Sequence, residues 1–283
     1  MIEINSLKHV QEPKYWLLGI ASGLIALHLT LSSRTNDADI FGTMLLFWGV
    51  VAFLIWEKHE SLTFESGVFA TFFGGALIAL ILIKSSSITG YDLFIRVTPF
   101  LSGISLALLA SGTKGLKQYW QELLILAYTG IPPGLIGVLV DVSALTAKFS
   151  AFLLHYLGFE VVRKGVFLML EKGSVEVNHG CSGETVILQL LGMALLFLLM
   201  FPTTVGQKIV VPLVAIISAF VVNSARVSLL ALLVSLSQPE AFKYWHEGSG
   251  SVIFSMIAVF LFGLFCWFAI LKDQPQNKEE QNC

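Results

Sequence analysis

Apolar residues recur along this chain in long blocks separated by short polar joints. A block of ~20 apolar residues can cross ~30 Å of hydrocarbon as a helix, because a helix bonds its own backbone groups internally. Eight blocks approach that length, at residues 15–32, 40–56, 66–83, 93–111, 120–140, 183–201, 208–233 and 250–271. The run Ile131–Gly134, "IPPG", predicts a kink in the fifth, since proline lacks a backbone donor. The pattern predicts an all-α polytopic membrane protein of about eight transmembrane helices, forming a single integral membrane domain over residues 1–283. Within it, residues 1–140 form a five-span half, residues 141–180 an outer-face segment and residues 181–283 a three-span half. The apolar run from Tyr15 to Leu31 has no small-residue cleavage site after it and reads as a retained span rather than a signal peptide.

The segment 141–180 has a different rhythm. In "SALTAKFSAFLLHYLG", Leu145, Phe149, Phe152, Leu153 and Tyr156 share one helical stripe, which predicts an amphipathic helix lying in the headgroup plane. Gly158 offers a left-handed stop. "VFLML" and "SVEVN" then flank "EKG", which predicts a short β-hairpin before the sixth span, with Gly173 at positive φ in its turn.

Composition sharpens the class. The 283 residues are 55% apolar and only 13% charged, against ~25% charge in a soluble domain. A net charge of -2 supplies no basic field, so nucleic acid is excluded as a partner and the lipid bilayer is the expected one. With a cytoplasmic N-terminus, the inner joints hold Lys8, Lys14, Lys58, Lys114, Lys117, Lys208, Lys272 and Lys278, and the short outer joints hold Arg34, Lys84, Arg96 and Lys243. That bias favours this orientation in the cytoplasmic membrane. Cysteines 181, 266 and 283 have no paired spacing, so no disulfide is expected. "GxGxxG", "GxSxG" and "HExxH" are all missing, and no cofactor is expected.

Three polar residues stand out against this background. Cys181 opens the sixth span, where unpaired amides and the helix dipole would stabilise a thiolate. Ser182 is the natural N-cap, and Glu184 suits the first turn while opposing an anion beside it. Arg226 lies inside the apolar run "AFVVNSARVSLLALLV", where a cation costs ~2.5 to 3.5 kcal/mol at mid-membrane. Snorkelling to headgroups competes with a functional role there. Asn223, three residues earlier on the same face, points the pair toward a protein interior. His246, in "KYWHEGSGSVIF", is either an interfacial histidine beside Tyr244 and Trp245 or a partner for the thiol, and His179 is its rival. Alternation of the spans puts Cys181, Arg226 and His246 on one membrane surface. A cysteine with a histidine is the minimum for thiol acyl transfer, and an arginine can stabilise the oxyanion. Two other classes compete: a zinc site built from His179, Cys181 and His246, and a non-catalytic transporter subunit or assembly scaffold whose Arg226 holds an anion.

The stretches "LLHYLGFEVVRKGVFLMLEKGSVEVNHGCSG", "NSARV" and "HEGSG", in that order, resemble the exosortase and archaeosortase family over roughly the C-terminal half of the chain. The resemblance implies a cysteine transpeptidase or protease of the cell envelope, with its active site facing the extracytoplasmic side. It implies as substrates exported proteins whose C-terminal tail carries a short motif such as Pro-Glu-Pro, a spanning helix and a basic cluster. An amine on an envelope acceptor is the implied destination of the cleaved protein, beside water. Carried over, it makes Cys181 the nucleophile, Arg226 its charged partner and His246 the general acid/base, with His179, Ser182 and Asn223 in support. The polar surround "HGCSGET" departs from the more apolar one of many relatives and points to a cyanobacterial-type branch.

Overall fold

A computed structural model describes residues 13–35, 38–90 and 92–272. Lys8, Lys278 and Cys283, which entered the topology and thiol readings, lie outside the described residues. The chain is a multi-pass, mostly helical membrane protein. Among the described residues six helical stretches are long and apolar enough to cross a membrane: Lys14–Ser33, Ile40–Glu57, Val68–Ser86, Leu93–Thr129, Val205–Ser235 and Ser249–Leu271. Contacts divide the chain into two compact units, Met1–Pro132 and Pro133–Cys283.

Six of these stretches do not confirm the expected count of eight, because two of the eight blocks take other forms. The fifth block, 120–140, is not one helix. Helix α4 (Leu93–Gly115) is broken at Gly112, whose φ of 63° is left-handed, and leads through a 3-10 turn into the ten-residue α5 (Trp120–Thr129). Pro132 and Pro133 lack the amides that would continue α5, and the guanidinium of Arg96 donates to the carbonyl of Ile131 at 3.0 Å. The next helix, α6 (Leu135–Leu139), is a separate five-residue piece. The sixth block forms α8 (Glu184–Met200), apolar and 17 residues long, at the short end of what can cross.

In the first unit, α1 (Pro13–Ser33), α2 (Ala38–Glu57) and α3 (Val68–Ser86) precede α4. His28, fully buried on α1, bonds the carbonyl of Ile95 on α4 at 3.0 Å and accepts from the indole of Trp48 on α2 at 3.1 Å. Pro99 explains the first bond: lacking an N–H, it leaves the Ile95 carbonyl without its helical donor. One histidine thereby ties three helices at a proline defect.

In the second unit, α7 (Val142–Tyr156) is capped at its start by the Asp141 carboxylate, 3.0 Å from the amide of Ala144, and ended by Gly158 at φ 89°. Of its expected apolar stripe Leu145, Phe152 and Tyr156 are exposed and Phe149 and Leu153 half-buried, and the buried face mixes Ser143, Thr146 and Ser150 with Val142, Ala147 and Leu154. The hydroxyl of Ser150 donates to the carbonyl of Ser224 at 3.0 Å, which fastens α7 to α9 (Val205–Ser235). Small and polar residues at helix contacts, with apolar ones outside, are what a membrane setting rewards.

The hairpin is there, with a third strand. β1 (Val162–Lys164), β2 (Phe167–Leu170) and β3 (Gly173–Glu176) form an antiparallel sheet in sequence order, pairing Arg163 with Leu168 and Leu168 with Val175. The left-handed glycine is Gly165 in the β1–β2 turn, at φ 62°, and not Gly173, which is paired with Leu170 as part of β3. Beyond α9 come α10 (Pro239–His246) and α11 (Ser249–Cys266). The core joining α8, α9 and α11 is built on the fully buried alanines Ala194, Ala215, Ala219 and Ala258, which let helix backbones approach closely.

Candidate active site

Cys181 is placed by the sheet beneath it and the turn that follows. Leu168 and Val177, both fully buried, pack with Ala147, Leu154, Val227 and Ala231 in a core that reaches Cys181. The amide of Cys181 donates to the Asn178 side-chain oxygen at 3.1 Å, and its carbonyl accepts from Nδ2 of Asn223 at 2.9 Å. The peptide planes before and after its Cα are therefore both fixed. Gly183 then takes φ 94°, and a Cβ there would come within 2.7 Å of Asn223 Nδ2. Glycine meets both the left-handed turn and the approach of Asn223.

His246 ends α10, and its Nε2 lies 3.1 Å from the sulfur of Cys181. The imidazole stacks on Phe242, one turn earlier, at 5.1 Å between centroids. Amides of Glu247 and Gly248 satisfy the carbonyls of Lys243 and Tyr244, which leaves those of Trp245 and His246 at the helix end. Arg226 takes both: Nη2 donates to the His246 carbonyl at 2.8 Å and Nε to that of Trp245 at 3.4 Å. Gly250 permits the turn into α11, since a Cβ there would meet the ring of Trp245 at 2.7 Å.

The family model for transmembrane exosortases matches residues 34–263, most of the chain and all of this cluster. The chain belongs to the transmembrane exosortase family. No curated protein and no solved structure matches it.

In this exosortase family member the electrostatics of the thiol run against the expectation of an activated thiolate. Cys181 is only 6% exposed, and burial pushes its pKa up, while the nearby Arg226 charge pulls it partly back. At the expected helix N-terminus two of the amides near Cys181 have partners. Gly183, not Ser182, is the N-cap of α8. The amide of Ser182 is 3.4 Å from the His179 carbonyl, and that of Glu184 is 3.3 Å from the Ser182 hydroxyl. Burial thus favours the protonated sulfur, with the His246 ring 3.1 Å from it.

The remaining residues fall into distinct positions. Ser182, buried, donates its hydroxyl to the His179 carbonyl at 2.8 Å, and its own carbonyl accepts from Thr146 at 2.7 Å. Thr146 was not legible as a site residue, although the Ser/Thr spacing of Ser143, Thr146 and Ser150 marks a polar helix face. His179 does not join the Cys181–His246 contact in any metal-binding group: its side chain is 82% exposed, with Nδ1 3.7 Å from Oε1 of Glu184. Among the described residues no three His, Cys, Asp or Glu side chains converge as a metal site would require.

Proposed function

We propose that this chain is a membrane-embedded cysteine transpeptidase or protease that cleaves the C-terminal sorting tail of exported proteins. The observation that carries the reading is the 3.1 Å contact between Cys181 Sγ and His246 Nε2. Burial favours the protonated thiol, so in this reading His246 acts as a general base at the moment of attack. Sγ bonds to the scissile carbonyl carbon, the thiol proton moves to Nε2, and the same imidazole returns it to the leaving amine. The peptide C–N bond breaks and a thioester remains on Cys181. Arg226 contributes in two ways: its charge favours the developing anion, and its bonds to the α10 carbonyls hold the imidazole against the sulfur.

The substrate class that suits this site is an exported protein tethered by its own spanning helix, with a short motif before the helix and a basic cluster after it. Tethering confines the motif to the membrane plane, so its arrival at Cys181 is a two-dimensional search. The site faces the extracytoplasmic side of the cytoplasmic membrane, and the thioester is resolved by water or by an amine on an envelope acceptor. Co-expression of a tailed substrate with the wild-type chain and with Cys181→Ala tests this. The wild type is expected to yield a new C-terminus just before the helix, read by mass spectrometry. Equal processing by Cys181→Ala would refute the reading and leave a scaffold or transport role.

A further inference from the structure

Two histidines stand by Cys181, His246 in contact with its sulfur and His179 two residues before it in the chain, and each has a glutamate near its Nδ1. His246 turns Nε2 to the sulfur and has Nδ1 3.5 Å from Oε1 of Glu247. His179, two residues before the cysteine, has Nδ1 3.7 Å from Oε1 of Glu184, and its side chain is open to solvent. The acid behind His179 is unusual. Glu184 is 2% exposed, and its Oε1 has no hydrogen-bond partner. That oxygen lies flat on the backbone of α6 at Gly137, where a Cβ would come within 2.5 Å of it. Burying a carboxylate oxygen without a donor is costly, and an alanine at position 137 would forbid it. The main chain of His179 is fixed as well, through its carbonyl to Ser182.

We infer that His179 and Glu184 form a second proton-handling pair, which serves the resolution of the thioester by an incoming primary amine or water. This rests on the proposed nucleophile Cys181. A buried acid 3.7 Å from an accessible imidazole, at ion-pair rather than hydrogen-bond distance, places the two as the base and acid of a nucleophile–base–acid triad are placed, here for the second half of the reaction. His246 is committed to the sulfur and to the leaving group. The incoming nucleophile approaches from the aqueous side, where His179 is exposed. As the new C–N or C–O bond forms, its N–H or O–H proton passes to His179 and on to solvent. The C–S bond breaks, the sulfur keeps the electron pair, and it regains a proton from solvent through His246. Glu184 is a positioning residue in this step.

The test uses the full-length chain in detergent micelles with p-nitrophenyl acetate, which transfers an acetyl group to a reactive thiol and releases p-nitrophenol. Two rates are read by mass spectrometry of the Cys181 peptide: acetylation, and loss of the acetyl group after the reagent is removed, with and without glycinamide. His179→Gln is expected to acetylate at the wild-type rate, to lose the group at least tenfold more slowly, and to lose its response to glycinamide. Glu184→Gln is expected to slow only the second rate, by a smaller factor. Unchanged deacetylation in His179→Gln, or an equal fall in both rates, would overturn the inference, and because His179 is exposed this variant remains decisive even if Glu184→Gln does not fold. His246→Gln separates the two readings. It is expected to slow acetylation, and an unchanged acetylation rate there would count against the proposed function itself.

Discussion

The guanidinium of Arg226 donates to the main-chain carbonyl of His246 at 2.8 Å, so the cation on α9 is the clasp that ends α10. Charge and imidazole are therefore mechanically joined. A lysine would keep the charge but cannot reproduce the planar fork that reaches two carbonyls. Arg226→Lys is expected to lower processing of a tailed substrate by more than tenfold and to cost about 1 to 3 kcal/mol from the carbonyls left unpaired. Processing yield and thermal melting in detergent check it together. Wild-type processing by the lysine variant would show that charge alone suffices.

The thiol of Cys181 supplies a pH test. Its folded pKa lies above the ordinary thiol range because burial disfavours the thiolate, with Arg226 opposing. A raised value means that this group's contribution to stability is full below the ordinary thiol range and is lost as pH rises through the folded value. Alkylation of Cys181 by iodoacetamide, followed by mass spectrometry of its peptide, should therefore show a midpoint above that of a free cysteine peptide. Arg226→Gln should move it further up. A midpoint at or below the free thiol would contradict the burial seen here.

Which parts of this were legible in the sequence follows from what hydropathy measures. Helices α1, α2, α3 and α11 fall where their apolar blocks do, because lipid-facing length is a one-dimensional property. Gly158 and the β2–β3 hairpin were legible as well, since turn and strand chemistry is local. The break after Thr129 was harder, because "IPPG" reads equally as a kink or a stop until the partners of the freed carbonyls are known. The stripe of Leu145, Phe152 and Tyr156 on α7 is exposed, as on a helix that turns its apolar side to lipid, but the buried polar face of Ser143, Thr146 and Ser150 was not read from the sequence. At the candidate site, residue identities were legible, but the bonds of Arg226 were not. Nothing in "NSARV" says that two carbonyls twenty residues later lack donors.

Gly183 should resist any side chain. Its φ of 94° is strained for L residues, and Asn223 already occupies the space where a Cβ would go. Gly183→Ala is expected to cost at least ~1 to 2 kcal/mol and to displace the Cys181 turn. Asn223→Ala removes the two nearer atoms of the obstruction but also the donor to the Cys181 carbonyl, so it is expected to lower processing by itself. The double variant should then be less damaged than the sum of the two, with an interaction of ~0.5 kcal/mol or more. Strict additivity in melting experiments would mean that the two residues do not share the space described.

The pairing of His28 with Pro99 offers a prediction that depends on no catalytic assumption. His28→Leu leaves the Ile95 carbonyl without a donor inside a span, at a cost of about 1 to 3 kcal/mol. It also strands the indole of Trp48. Pro99→Ala restores an amide at position 99, one helical turn after Ile95, and that amide can take the carbonyl itself. In the Pro99→Ala background His28→Leu should therefore lose part of its cost, and only the Trp48 share should persist. Urea or SDS unfolding of the four proteins gives the coupling directly, expected at ~1 kcal/mol. A coupling of zero would mean that His28 is held by Trp48 and Ser32 and that the proline defect is satisfied in some other way. The sign matters more than the size: only a histidine that substitutes for a missing amide becomes dispensable when the amide returns.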